Sequence, residues 1–388
     1  MELHLRKKGV ALFFEGREMI LNIDDVLLGL SITPTVGWKT IEHLIHTGID
    51  ESVYSLDSRG WKTKYPFLTD TQSTSLANAI KVDKISSFKE KMKKLNIGYC
   101  SFYDESYPEL LKEIFNPPWI LYYKGNFKLI HTYCLGVVGS RKTSSYGRSV
   151  TERLIPELVK NHWTVVSGLA YGIDTISHEV TLKTEGNTIA VLGCGIDIIY
   201  PKTNRTLYER IVDKGLIISE YPPGVRPQPA FFPLRNRIIA GISKGVIVIE
   251  AAKQSGSLIT AHHALEQGKE VFAVPGSIFD TQSVGTNLLI QQHGAKLITN
   301  CQDIFDELPK VPLEHIIDAK KQRLNEGIMV EDIEKEILEV LKFEKLHINE
   351  LLTKTGIQMN DLMHLLLKLE MKGFIKMFPG SYYKSIQE

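Results

Sequence analysis

The chain has 388 residues, of which 46 are basic and 45 acidic, for a formal net charge of +1. That balance excludes a polybasic protein that coats nucleic acid by bulk charge, so any anion site must be local. The length predicts two or three domains with ample core.

Residues 1–95 are expected to form a helical domain of SAM or helix-hairpin-helix type. Leu21, Val26, Leu27, Leu30, Ile41, Leu44 and Ile45 recur at helical spacing between polar positions. The stretch Thr33-Pro-Thr-Val-Gly-Trp-Lys-Thr40 reads as a tight turn feeding a new helix. It resembles a helix-hairpin-helix turn, whose backbone N–H groups meet DNA phosphates. Thr35 stands where the first of two glycines is usual, and only Gly37 remains. A helical domain without DNA contact accounts for the same pattern.

From 96 to 308 short β-branched runs alternate with amphipathic segments. Strands are expected at Cys134–Val138, Thr164–Ser167, Thr188–Leu192, Ile217–Ser219, Gly245–Glu250, Glu270–Val274 and Lys296–Ile298. Helices are expected at 147–160, 173–183, 204–214, 234–242, 257–267 and 284–293. Nearly all-apolar strands alternating with helices predict an α/β domain, a doubly wound Rossmann-like parallel sheet covered on both faces. The preceding Tyr103–Asn126, with one strand at Trp119–Tyr123, reads as an extension packed on that sheet. Residues 309–330 form a charged linker. Residues 331–388 read as three helices (332–342, 347–355, 358–372) and a hairpin, a winged helix.

Glycines follow the strands: Gly139-Ser-Arg-Lys142, Ser167-Gly168 to Gly172, Gly193-Cys-Gly195, Ser255-Gly-Ser257 and Pro275-Gly-Ser277. In a parallel sheet these loops converge on one edge, where doubly wound folds bind ligands. Ser140, Arg141 and Lys142 stand at a helix start and suit an anion. Ser255 and Ser257 bring hydroxyls to another helix start, although simple capping also explains a serine there. Lys202 and Arg205 follow the third strand. The densest signal is Phe232-Pro-Leu-Arg-Asn-Arg237, where arginine forks for phosphate sit beside an aromatic face for a base. Residues 134–300 carry 17 basic and 13 acidic side chains, a local excess that suits phosphate.

Other chemistries fit poorly. Arg141 occupies the place of the second glycine of a dinucleotide fingerprint, and no P-loop is present, so no cofactor is expected. Asp174 and His178 share a helix face without a nucleophile. Glu220 and Glu250 end strands without an acid–base partner, and read as structural. His262 and His263 are adjacent and cannot share a helix face, and no spacing suits a metal. Cys100, Cys134, Cys194 and Cys301 are far apart and read as buried, reduced thiols. Residues 1–16 lack a signal-peptide apolar core and no run is long enough to span a membrane, which reads as a cytoplasmic protein.

The ordered set Gly139-Ser-Arg141, Ser167-Gly-Leu-Ala-Tyr-Gly-Ile-Asp174, Gly193-Cys-Gly-Ile-Asp197, Tyr200-Pro201, Ser219-Glu220, Phe232-Pro-Leu-Arg-Asn-Arg237, Ser255-Gly-Ser257 and Pro275-Gly276 resembles the DprA/Smf family of DNA-processing proteins. The resemblance implies a non-enzymatic, single-stranded DNA-binding recombination mediator. Such a protein protects incoming DNA and loads RecA recombinase during natural transformation. It implies a DNA pocket at Arg141 and its loop, Lys202, Phe232, Arg235, Asn236 and Arg237. Where the family often has a basic residue this chain has Pro229, with Arg226 as a nearby substitute. The resemblance also implies a homodimer, with Leu288, Leu289 and Ile290 on the dimer and recombinase surface. The winged helix carries 8 basic and 10 acidic residues over 331–388, which suits a protein partner, or a weak accessory DNA contact through Lys372, Lys376 and Lys384, better than a DNA-reading helix.

Overall fold

The computed structural model describes residues 11–14, 17–20, 23–309, 311–312, 332–342, 344–357, 359–371 and 374–386. The chain divides into two compact units, Met1–Val311 and Pro312–Glu388. Most of the expected linker 309–330 lies outside the described residues, as does Lys372.

The first unit is built on a nine-stranded sheet: β1 (Gly98–Ser101), β2 (Ile120–Gly125), β3 (Cys134–Val138), β4 (Thr164–Ser167), β5 (Thr188–Leu192), β6 (Leu216–Ser219), β7 (Gly245–Val248), β8 (Glu270–Ala273) and β9 (Lys296–Leu297). Their order is β9-β8-β7-β3-β4-β5-β6-β2-β1. All seven strands from β3 to β9 are parallel, while β2 pairs antiparallel with β6 and β1 antiparallel with β2. The segment expected to pack on the sheet therefore extends its edge instead. Gly98–Ser101 is half-exposed at its start and too short to show alternation, so no apolar pattern announced it.

The parallel strands β3 to β7 are buried along their length because both faces are covered. Along β3 the pleat sends Cys134 and Val138 into one apolar cluster and Leu135 and Val137 into another. The first is closed by α4 (Phe231–Ile242), α5 (Gly256–Glu266) and α6 (Val284–Gln291), through Ile238, Ile239, Ala261, Ala264 and Leu289. The second is closed by α1 (Ser145–Lys160) and α2 (Ile173–Lys183), through Leu154, Ile155, Leu158 and Ile173. The helix α3 (Arg205–Lys214) lies against β2, β5, β6 and α2.

Five short helices fill Ile23–Lys94. Their apolar stripe, including Leu27, Leu44 and Trp61, forms one continuous cluster with Tyr122 and Ile217 of the sheet. At the hairpin turn Thr35 has φ 72°, the left-handed conformation that glycine would supply more cheaply. The carbonyl of Thr35 accepts from Gln72, and the Trp38 indole N–H donates to the Pro117 carbonyl. Trp38 also stacks on Trp119 at 5.7 Å, so this turn is used for packing on the sheet edge.

The second unit contains α7 (Asp332–Leu341), α8 (Ile348–Thr355), α9 (Met359–Met371) and the strands β10 (Leu346–His347), β11 (Ile375–Phe378) and β12 (Tyr382–Ser385), paired β10-β12-β11. Ile337, Leu351, Leu362, Leu366 and Phe374 form its core. This is the winged helix that the pattern predicts.

Candidate nucleic-acid interface

A cleft of ≈ 580 Å³ opens at the C-terminal edge of the parallel sheet. One wall is the loop from β3 to α1, with Ser140, Arg141 and Lys142. The second is the start of α4, with Phe232, Arg235 and Asn236. The third is the start of α5, with Ser255, Gly256 and Ser257. Arg141 and Lys142 are exposed. The Arg141 guanidinium lies 5.4 Å from the centre of the Phe232 ring, and the Tyr200 ring centre stands 5.4 Å from it with the planes tilted by 40°. At α5 the Ser255 hydroxyl caps the helix through the Ser257 N–H and bonds the Ser257 hydroxyl at 2.7 Å.

Helix α4 begins at Phe231, three residues before the apolar run suggests, because Pro233 is tolerated in a first turn. This places Phe232 on the cleft and turns Arg235 inward. Arg235 is only 3% exposed and donates to the carbonyls of Gly168 (2.6 Å) and Val191, at the ends of β4 and β5. Gly168 leaves the room this takes, since an added Cβ would run into the Arg235 guanidinium. Burial pushes the Arg235 pKa down to about 10; the negative charge of Asp174 opposes the shift and the charge of Arg141 adds to it. Asp174 is buried beside it and accepts from the Gly168 and Ala170 N–H groups. Burial raises its pKa, against the Arg235 charge. Gly172, at φ 78°, lets the next turn pass the Ser140 carbonyl, which a Cβ would meet at 2.2 Å.

The sequence model described as "DNA recombination-mediator protein A" matches residues 98–309, more than half of the chain. The chain belongs to the DNA recombination-mediator protein A family. The DprA winged helix domain matches residues 327–381. The DNA processing protein DprA of Bacillus subtilis is 43% identical over 250 residues, 62% of this chain and 84% of that protein. That of Streptococcus pneumoniae is 49% identical over 207 residues, 53% of this chain and 73% of the relative. A solved structure of the Streptococcus pneumoniae protein superposes with a TM-score of 0.62 at 38% identity, covering 74% of this chain and 96% of that one.

Within this DprA scaffold the expected site residues separate. Ser140, Arg141, Lys142, Phe232, Arg235, Asn236, Ser255, Gly256 and Ser257 converge on the cleft. Arg237, expected among the phosphate contacts, does not line it. Its guanidinium is held by Glu220 and the carbonyls of Asn116 and Leu234. Ser167 is buried, with its hydroxyl on the Val137 carbonyl, and Gly168 lies beneath Arg235, so neither lines the cleft. Lys202 and Arg226 are exposed but stand outside it.

Leu289 also departs from expectation: it is 5% exposed and belongs to the apolar cluster under α6. Only Leu288 and Ile290 of that run keep partial exposure, because three consecutive helical residues cannot face one way. Tyr200, Pro229 and Gln282 line the cleft without having been named as site residues. Gln282 accepts from the Ser140 hydroxyl at 2.6 Å across 142 residues of sequence, a pairing no local pattern announces.

Glu250 is 2% exposed, accepts from the Ser144 N–H under the start of α1, and does not line the cleft. Its carboxylate already complements that helix terminus. All four cysteines are free and buried, and burial pushes the Cys134 thiol up to about 12. Among the described residues no His, Cys, Asp or Glu cluster is placed to hold a metal, and no helix is long and apolar enough to cross a membrane.

Proposed function

We propose that this DprA-family protein binds single-stranded DNA in the cleft and acts as a recombination mediator. In this reading it protects incoming DNA and loads a RecA-type recombinase during natural transformation, as a cytoplasmic homodimer and without catalysis of its own. The observation that carries the reading is the pairing of exposed cations with aromatic faces. Arg141 and Lys142 offer phosphate contacts, and Phe232 and Tyr200 offer ring faces, in one open cleft. A nucleotide-processing enzyme on the same loops would call on Glu250 as its base, and that carboxylate accepts from the Ser144 N–H and does not line the cleft.

Fluorescence anisotropy of a labelled single-stranded oligomer at two salt concentrations tests the reading. Tight, salt-sensitive binding that duplex fails to compete is expected. Displacement by a mononucleotide would overturn it. Arg141→Ala is expected to weaken binding about tenfold and to flatten the log–log salt dependence by about 0.7, the contribution of one phosphate contact on a single strand. An unchanged slope would remove Arg141 from the phosphate contacts. Nuclease protection and recombinase-loading assays then test the mediator role.

The winged helix is assigned to a protein partner. Its α9 presents Met359, Met363 and Leu367 outward, 40%, 54% and 57% exposed, instead of a basic row. Removing 312–388 is expected to leave oligomer affinity within about twofold, since phosphate contacts dominate affinity and this unit supplies few. A larger loss would place DNA on the winged helix.

A further inference from the structure

The most exposed large apolar residue among those described is Phe279, at 92%, and its neighbour Ile278 is 80% exposed. Single exposed apolar side chains are ordinary. This pair is unusual because the loop that carries it, Pro275 to Ser283, is tied down on both sides. The Tyr146 hydroxyl donates to the Pro275 carbonyl at 2.7 Å, and the Ser140 hydroxyl donates to Gln282 at 2.6 Å. The Asn287 side chain brackets Gly276, accepting from its N–H and donating to its carbonyl. Inside the loop, Phe279 N–H donates to the Ser277 hydroxyl and Ser283 N–H to the Asp280 carbonyl. Asp280, the one acidic group of the loop, has its carboxylate on the Gln282 N–H. The tip is therefore held out by a built frame.

That frame is attached to the cationic wall of the cleft. Ser140, which holds Gln282, directly precedes the exposed Arg141 and Lys142. A single strand needs a basic track with ring faces set along it. Phe232 supplies such a face inside the cleft, already covered on one side by Arg141.

We propose that Phe279, backed by Ile278, is a second base platform outside the cleft, on which a base of the strand leaving the Arg141–Lys142 edge stacks. This rests on the reading of the cleft as a single-stranded DNA site. The preformed loop lowers the ordering cost of such a contact.

The test uses the full chain and a labelled oligothymidylate. Phe279→Ala is expected to weaken binding about tenfold, the scale of one lost base–aromatic stack. The salt slope should not change, because no charge is removed. Oligomers with a single abasic position, scanned along the strand, should show one position at which the Phe279→Ala penalty disappears. Phe279→Trp should keep the affinity and gain a fluorescence quench on binding. Equal affinity of Phe279→Ala and parent overturns the platform while Arg141→Ala still tests the cleft. A shift of the DNA-free Phe279→Ala protein from dimer to monomer with unchanged affinity also overturns it and puts a second copy on the tip. Failure of the parent to bind the oligomer removes both readings together.

Discussion

Arg235→Ala is expected to lower the unfolding free energy of the sheet-bearing unit by about 3–5 kcal/mol, the cost of removing one member of a buried charged network. Two carbonyls at the ends of β4 and β5, Gly168 and Val191, lose their donor, and an unsatisfied buried acceptor costs about 1–3 kcal/mol. Asp174 loses the positive charge that offsets its burial. Space is left over Gly168, whose lack of a side chain exists to admit the guanidinium. Lysine is a poor replacement, since one ammonium cannot reproduce the fork that spans two strand ends. Urea denaturation of parent, Arg235→Ala and Arg141→Ala separates the two arginines. Arg141 is exposed and its loss is expected to leave the midpoint nearly unmoved. If Arg235→Ala unfolds at the parent's midpoint yet loses oligomer affinity, Arg235 is a phosphate clamp and its role in the cleft floor is wrong.

Stability is expected to fall in acid through His178, by about 5 kcal/mol between pH 6.5 and 3, at 1.36 kcal/mol for each pH unit. Burial, aided by the Arg235 charge, pushes the folded-state pKa down to about 3 from an ordinary 6.5. In that window the unfolded chain holds a proton on this ring and the folded chain does not, so acid favours unfolding. The hydrogen bonds explain the preference. Thr188 gives its one proton to the Val165 carbonyl and so accepts from His178 Nδ1. Nε2 is then the bare nitrogen, buried without a partner among the described residues. Protonation would create a buried N–H with no acceptor. Asp174 acts with the opposite sign, since its raised pKa lets the folded state take up a proton first as pH falls. Urea midpoints of parent and His178→Gln across this range isolate the histidine. The curves should converge in acid, and parallel curves would sink the idea.

The fold was largely legible in the sequence because it rests on local patterns. The runs Cys134–Val138, Thr164–Ser167 and Thr188–Leu192 are strands with the expected bounds, since a strand buried on both faces must be apolar throughout. The glycine-bearing loops follow from the same logic: parallel strands point one way, and their ends meet at one edge. The family motifs named the cleft's walls at Arg141, Phe232 and Ser255 for this reason.

Direction of side chains was decided only by tertiary structure. Arg235 and Arg237 look equivalent in sequence, yet helix α4 turns about 200° between them. One closes the cleft floor and the other pairs with Glu220. Leu289 and its neighbours look equally apolar, and only packing against the sheet chose which one is buried. Composition records which groups are present. Whether an arginine meets solvent or a carbonyl depends on partners tens of residues away, such as Gly168, Val191 and Asn116, which come together only when the chain folds.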